Sequence, residues 1–230
     1  MRRATFIVLD GVDGAGKDVQ TERLVATCRK RGFSTEQLKF PVYDSFTGRD
    51  IVAYQSGEFG ELDALNPRLV AYLYAANRVE ARPTIERALT NSDVIIASRY
   101  APSNVAYSAA RVAPSERVAH RQWVRQLDHN VLGNPREDAV IFLDLPTDLS
   151  EQLIAKRDLG RRDIHDENRA YPEIVREQYH ALAKTEPHWT VVDCSVQGQE
   201  IRTIDDIAAE IETIVFGTII KSALVKRVEA

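Results

Sequence analysis

A lysine behind a glycine-rich turn is the first arrangement in this chain that could do chemistry. Gly11-Val12-Asp13-Gly14-Ala15-Gly16-Lys17 satisfies the spacing GxxxxGK. Glycines let backbone N–H groups converge on phosphate oxygens, a following helix adds the positive end of its dipole, and the lysine reaches the outer phosphates. Context gives the spacing its meaning. Residues 5–9 form a short apolar, largely β-branched run that ends at Asp10-Gly11, as a buried parallel strand does, and Leu24 and Val25 continue a helical pattern behind the lysine. Strand, glycine loop, lysine and helix together predict a site for a nucleoside triphosphate, lined by residues 11–17 with Asp18 and Val19. The position after Lys17, usually Ser or Thr, is Asp18.

Moving a phosphoryl group to a small acceptor requires three things. The triphosphate charge must be neutralised, the acceptor anion clamped, and the two oxygens aligned. Lys17 answers the first need. Arg99 answers the second, because Ser98-Arg99-Tyr100 follows the apolar run 93–97 and so falls at the C-terminal edge of a parallel strand, where open α/β sheets hold their ligands. Arg157, Arg161 and Arg162 lie in the stretch RDLGRRDIHDEN. Taken alone its charge is that of a solvated turn; behind a phosphate loop it reads as an arginine flap, over about residues 156–168, that closes on phosphates. Tyr74, Arg78, Tyr100, Asn104 and Tyr107 are candidates for the acceptor pocket. Tyr74 and Arg78 share a helix face, as do Asn104 and Tyr107, although tyrosines at such spacing also serve simply to pack.

The elements that must carry these residues follow from periodicity. Expected strands cover 5–9, 35–40, 93–97, 139–144 and 189–193; expected helices cover 17–31, about 48–56, 67–82 with a break at Pro83, 104–111, 114–132, 147–156, 169–185 and 201–215. Asn66-Pro67 is a good helix start, and Pro41 halts the second strand. Five short apolar strands separated by helices predict an α/β fold, a five-stranded parallel sheet flanked by helices, in one P-loop domain over residues 1–230. No repeat or linker interrupts it.

Composition narrows the function further. The 230 residues are 44% hydrophobic and 28% charged, with a net charge of -4, which argues against a surface for polymeric nucleic acid while permitting small anionic ligands. Two cysteines without C-x-x-C spacing suggest neither a disulfide framework nor a zinc site and fit a cytoplasmic location. The apolar run behind Arg2 and Arg3 is too short for a signal peptide, and no stretch reaches the length of a membrane span.

With these residues on the page, the chain resembles the thymidylate kinase family over nearly its whole length. FIVLDGVDGAGK resembles that family's phosphate loop, KFPVYDSFTGRDI its second-strand segment, YAANRVEAR the helix bearing an aromatic residue and an arginine, SRYAPSNVAYSAA its Asp-Arg-Tyr segment, and RDLGRRDIHDEN its lid. The resemblance implies transfer of the ATP γ-phosphoryl group to dTMP with magnesium, by a homodimer. It implies that Tyr74 stacks on the acceptor base, that Arg78 and Asn104 hydrogen-bond to it, and that Tyr107 lies near the sugar C2'. Arg99 would hold the acceptor phosphate and Asp13 would lie near the acceptor sugar. Gly14 and Ala15 occupy places where one branch of the family has a basic residue; the other branch supplies it from the lid, here Arg157, Arg161 or Arg162.

The chain also departs from the family pattern. Asp18 and Val19 replace threonines, Ser98 stands where the family has Asp, and Val42 and Tyr43 occupy places where an arginine often contacts the transferred phosphate. Because the edge of the third strand lies beside the phosphate loop in such a sheet, Asp18 and Ser98 are expected to face one magnesium ion, the carboxylate and the hydroxyl having changed places. Arg49 is a candidate substitute for the missing arginine. Three functions stay open: a thymidylate kinase, a related nucleotide kinase with another acceptor, or a catalytically weakened member with a regulatory or binding role. Absence of Asn-Lys-x-Asp disfavours a GTP switch, whereas Asp144 at the end of the fourth expected strand keeps a general ATPase in view.

Overall fold

The computed structural model describes residues 3–61, 64–157 and 170–220, with the backbone alone at 156 and 157. The expected flap over 156–168, with the side chains of Arg157, Arg161 and Arg162, lies outside the described residues. At the centre is β1 (Thr5–Asp10), buried at every position. It pairs in parallel with β3 (Val94–Ser98) on one side and β4 (Ala139–Asp144) on the other, both also buried throughout. β2 (Thr35–Lys39) and β5 (Trp189–Asp193) complete a five-stranded parallel sheet in the order β2-β3-β1-β4-β5. Strands covered on both faces need near-continuous apolar runs, and TFIVLD, VIIAS and AVIFLD provide them. Side chains alternate across the sheet. Ile7, Leu9 and Ile96 enter the larger core, whereas Phe6, Val8, Ile95 and Ala97 enter the second. Each such Ile, Leu or Phe stabilises the fold by about 1.5–3 kcal/mol.

The connections supply the helices. α1 (Lys17–Lys30) springs from the glycine loop and carries Leu24, Val25 and Cys28 into the larger core. α2 (Phe46–Gln55) begins before Gly48, the expected start, because the Ser45 side chain accepts from Gly48 N while the Glu80 carboxylate accepts from Phe46 N and Thr47 N at 2.8 and 2.9 Å. α3 (Pro67–Glu80) starts as expected, with Asn66 as its cap and Pro67 at its first position. Ala81 alone separates it from α4 (Arg82–Asn91), so the break expected at Pro83 falls two residues earlier and Pro83 sits in the first turn of α4, where its missing N–H costs nothing.

α5 (Ala101–Ala109) begins directly after the β3 edge, and α6 (Arg117–Arg125) runs on as a π-helical turn, Gln126–Val131. α7 (Thr147–Arg157) and α8 (Tyr171–Thr185) precede β5. A two-stranded hairpin, β6 (Ser195–Val196) with β7 (Glu200–Ile201), was not legible from periodicity, since two residues define no period. α9 (Ile204–Ile214) closes the larger core and continues as a π-helical turn, Val215–Ile219. Among the described residues no helix is long and apolar enough to cross a membrane.

β1 lies between β3 and β4, so the direction of strand progression reverses at its C-terminal end. Open α/β sheets form a ligand crevice at such a point. Asp10, Ser98 and the glycine loop all lie there.

Candidate active site

The loop departs from β1 under tight steric constraint. Gly11 has φ +148, and a Cβ there would lie 2.5 Å from the Leu143 carbonyl oxygen of the neighbouring strand end. Gly14 has φ +79 and a Cβ on it would meet the Ser150 carbonyl oxygen at 3.0 Å. Ser150 in turn donates from Oγ to the Asp13 carbonyl oxygen, which ties α7 to the loop. The Lys17 side chain folds back so that Nζ donates to the Val12 carbonyl oxygen at 2.7 Å. Burial, and then the Arg99 charge, push its pKa down to about 8 against the opposing pull of Asp13, Asp10 and Asp18. A desolvated ammonium whose hydrogen-bond partner is a carbonyl is better matched by an anion, which carries more charge than a carbonyl offers.

Asp18 and Ser98 come together as expected. The register pairs Leu9 with Ser98, and Ser98 Oγ donates to Asp18 Oδ1 at 2.5 Å. Lys39, at the end of β2 and paired in register with Ser98, donates from Nζ to Asp18 Oδ2 at 2.7 Å. Burial alone would raise the Asp18 carboxyl, but its hydrogen bonds from Lys39 and Ser98 outweigh that and hold it below the usual carboxylate range. Hydroxyl and carboxylate oxygens are the hard donors that magnesium prefers, so the pair fits the expected ion. Among the described residues no three His, Cys, Asp or Glu side chains gather as a metal cage. Magnesium held by one or two carboxylates and substrate phosphates needs none.

Arg99 sits at the junction of β3 and α5 with φ 63, a left-handed conformation that costs a non-glycine residue about 1 kcal/mol or more and is met most often at functional sites. Its Nη2 donates to Asp13 Oδ1, and Nη1 to Ser103 Oγ at 3.2 Å. The Tyr107 hydroxyl donates to the other Asp13 oxygen at 2.8 Å, and the Arg99 guanidinium lies 5.3 Å from the Tyr107 ring centroid. Beneath them Asp10 is fully buried; its Oδ1 accepts from Gly11 N, Ser103 Oγ and Tyr179 Oη at 2.9, 2.6 and 2.7 Å. Thus Lys17, Asp13, Arg99 and Tyr107 form one cluster.

The remaining candidates for the acceptor pocket lie along α3 and α5. Tyr74 accepts from Gln55 Nε2 at 3.2 Å and meets Tyr54 edge-on. Asn104 is buried, with Nδ2 donating to the Ala71 carbonyl oxygen at 3.0 Å, which fastens α5 to the same face of α3. Arg78 is almost wholly buried and paired with Asp128. Tyr100 does not join this group. Its ring packs against Phe6 and Phe40 in the second core, and its hydroxyl donates to the Pro135 carbonyl oxygen at 2.9 Å. Arg49 lies over the Phe46 ring at 5.6 Å, and Val42 is held by Asn77, whose side chain both accepts from Val42 N and donates to Val42 O.

Asp144, the residue that kept a general ATPase in view, accepts from Arg176 Nε at 2.7 Å and lies 3.0 Å from His180 Nε2. That pairing turns its carboxylate toward α8. Lys39, Ser103, Asp128 and Tyr179 escaped the sequence reading because each reaches the site across the chain, as Tyr179 does to Asp10 over 169 positions.

A phosphate loop at the switch point of a five-stranded parallel sheet, with an arginine from the neighbouring strand end bonded to its Asp13, is the arrangement of a P-loop fold of the nucleoside monophosphate kinase type. The sequence model of the thymidylate kinase family matches residues 9–203. The chain is 34% identical over 198 residues to a thymidylate kinase of Mycobacterium tuberculosis, covering 83% of this chain and 92% of that one. It is 33% identical over 195 residues to the human thymidylate kinase, covering 84% of each. A thymidylate kinase structure from Candida albicans superposes with a TM-score of 0.72 over 94% of this chain and 92% of its own, at 21% identity, which shows the shared fold. The chain belongs to the thymidylate kinase family.

Proposed function

We propose that the protein transfers the γ-phosphoryl group of ATP to dTMP, giving dTDP and ADP, within a single kinase domain. The observation that carries this reading is the cluster of Lys17, Asp13, Arg99 and Tyr107 at the C-terminal edge of the sheet, in a chain of this family. The loop N–H groups and Lys17 bind the β- and γ-phosphates, the lysine exchanging its bond to the Val12 carbonyl for phosphate oxygens. Asp18 and Ser98 are the residues that would hold magnesium, which when bound neutralises charge on the β- and γ-oxygens. Arg99 binds the acceptor phosphate, releasing Asp13 toward the acceptor sugar. Tyr74, Arg78 and Asn104 face the acceptor base, and Tyr107 its sugar.

An acceptor phosphate oxygen then attacks the γ-phosphorus in line as the bond to the β–γ bridging oxygen breaks, and that oxygen leaves as part of ADP. The acceptor oxygen is already anionic at neutral pH, so no general base is needed. Arg157, Arg161 and Arg162 balance charge on the transferring group and, by closing, exclude water that would hydrolyse ATP. Homodimerisation, by analogy with the family, and cytoplasmic residence, from the spacing of the two cysteines, belong to the same reading.

A second reading, a relative with altered acceptor choice or weakened catalysis, is favoured by one set of contacts. Val42 and Tyr43 replace the arginine often found after Phe40-Pro41, and Arg49 stays on Phe46. ADP production by the purified protein with ATP and magnesium, tested against dTMP, dUMP, dCMP, dGMP, UMP and no acceptor, decides. Turnover with dTMP above all others supports the proposal; ATP binding without turnover on any acceptor removes it.

A further inference from the structure

The π-helical turn Gln126–Val131 carries a side chain that the phosphoryl-transfer machinery does not use. Asp128 is fully buried within it, and the wider turn is closed by Leu132 N donating to the Leu127 carbonyl oxygen at 2.9 Å. π-Helical turns are frequent at functional sites, and this one ends α6. Asp128 is aimed at α3. Its Oδ1 accepts from Arg78 Nε at 3.1 Å, and its Oδ2 accepts from Arg78 Nη2. A third donor, Asn134 Nδ2, binds Oδ1 at 2.7 Å and also reaches the Ala75 carbonyl oxygen of α3 at 3.2 Å. The backbone repeats the tie, since Asn134 N donates to the Asp128 carbonyl oxygen at 3.0 Å.

Arg78 is therefore held along one edge. The Nε and Nη2 edge of its planar guanidinium is taken by Asp128, its face lies 5.7 Å from the Tyr100 ring centroid, and its Nη1 makes no hydrogen bond to a described residue. A buried ion pair adds little net stability, because desolvation offsets the attraction, but two parallel hydrogen bonds fix a guanidinium's direction. Arg78 lies one helical turn beyond Tyr74 on α3, and Asn104 is bonded to Ala71 a turn before it. The same face thus presents every residue assigned to the acceptor base.

We propose that Asp128, clamped by Asn134, is a positioning residue for acceptor binding: it holds Arg78 by one edge so that the Nη1 edge meets the acceptor base. This rests on the reading above that Arg78 contacts that base. Among the described residues the Asp128 carboxylate is hydrogen-bonded by Arg78 and Asn134, neither of them in the glycine loop, so its effect belongs to the acceptor and not to ATP. It also accounts for Tyr100, which supports the Arg78 guanidinium from below instead of meeting the ligand.

Calorimetric binding of dTMP and of ATP to full-length Asp128→Asn separates the possibilities. The amide keeps the volume but loses the charge and one acceptor, and misdirection of a binding group weakens dTMP by about tenfold while ATP stays within about twofold. In an Arg78→Ala background Asp128→Asn should change nothing further. Unchanged dTMP affinity in Asp128→Asn, when Arg78→Ala has weakened it, overturns the role of Asp128 alone. Unchanged dTMP affinity in Arg78→Ala overturns the acceptor reading of Arg78 on which it rests, and parallel loss of dTMP and ATP marks Asp128 as merely structural. Should Asp128→Asn fail to give a cooperative melt, Asn134→Ala must weaken dTMP selectively in the same direction, and its failure to do so refutes the clamp.

Discussion

Replacing Glu137 by Gln should stabilise the protein at alkaline pH and leave it unchanged in mild acid. Glu137 lies just before β4, at the end of the sheet remote from the phosphate loop, with its side chain only 9% exposed and Oε2 without a hydrogen-bond partner. The nearest groups able to carry positive charge are His129 Nε2 at 3.8 Å and His188 Nε2 at 4.0 Å, and burial holds both imidazoles below their ordinary pKa. Burial, reinforced by the Asp128 charge, therefore pushes the Glu137 carboxyl up from 4.5 to about 7. The folded state binds this proton more tightly than the unfolded chain, so its contribution is fully present below pH 4.5 and is lost as pH rises through 7. A shift of that size corresponds to about 3 kcal/mol, a large part of the stability of a typical domain. Glutamine does not titrate and escapes the penalty. Urea unfolding of both proteins between pH 4 and pH 8.5 should show the difference in unfolding free energy growing by about 3 kcal/mol in favour of the variant. A difference that stays constant with pH would show that Glu137 ionises normally and would refute the argument from burial.

Lys17, depressed to about 8, should take up a proton when a polyphosphate binds; calorimetry of ATP binding near pH 8.5 in buffers of different ionisation enthalpy should report net uptake, and none is expected in Lys17→Ala. Asp18→Thr removes the only carboxylate of the Asp18–Ser98 pair and should raise the magnesium concentration needed for turnover by about tenfold; improved magnesium use would end the idea that the two side chains have exchanged places. Alanine at Arg157, Arg161 and Arg162 together should lower kcat by about a thousandfold with a smaller change in ATP affinity, and equal turnover would remove the flap from the mechanism. Gly14→Ala, at φ +79 with Ser150 O only 3.0 Å from the new Cβ, should cost about 1–3 kcal/mol in thermal unfolding and weaken ATP binding.

What could be read from the sequence was whatever depends on neighbours along the chain or on the geometry every parallel sheet shares. β1, the glycine loop and Lys17 are contiguous, and their meaning is contained in their spacing. The meeting of Asp18 with Ser98 was foreseeable for a different reason: in this class of sheet the end of the third strand must lie beside the loop, and the register delivers Ser98 opposite Leu9. Sequence reasoning failed wherever a distant partner overruled a local signal. Tyr100 follows Arg99 and so reads as a pocket residue, yet consecutive residues diverge at the strand end, and its ring is claimed by Phe6 and Phe40. The start of α2 was misjudged because Glu80, on another helix, satisfies Phe46 N and Thr47 N. Asp128 had no local signature at all, lying within the helix expected over 114–132. Its importance arises from Arg78, 50 positions away, and a buried guanidinium cannot be aimed by its own helix because four rotatable bonds separate it from the backbone. A second element must hold it, so the residues that set binding direction are the ones periodicity and spacing are least able to reveal.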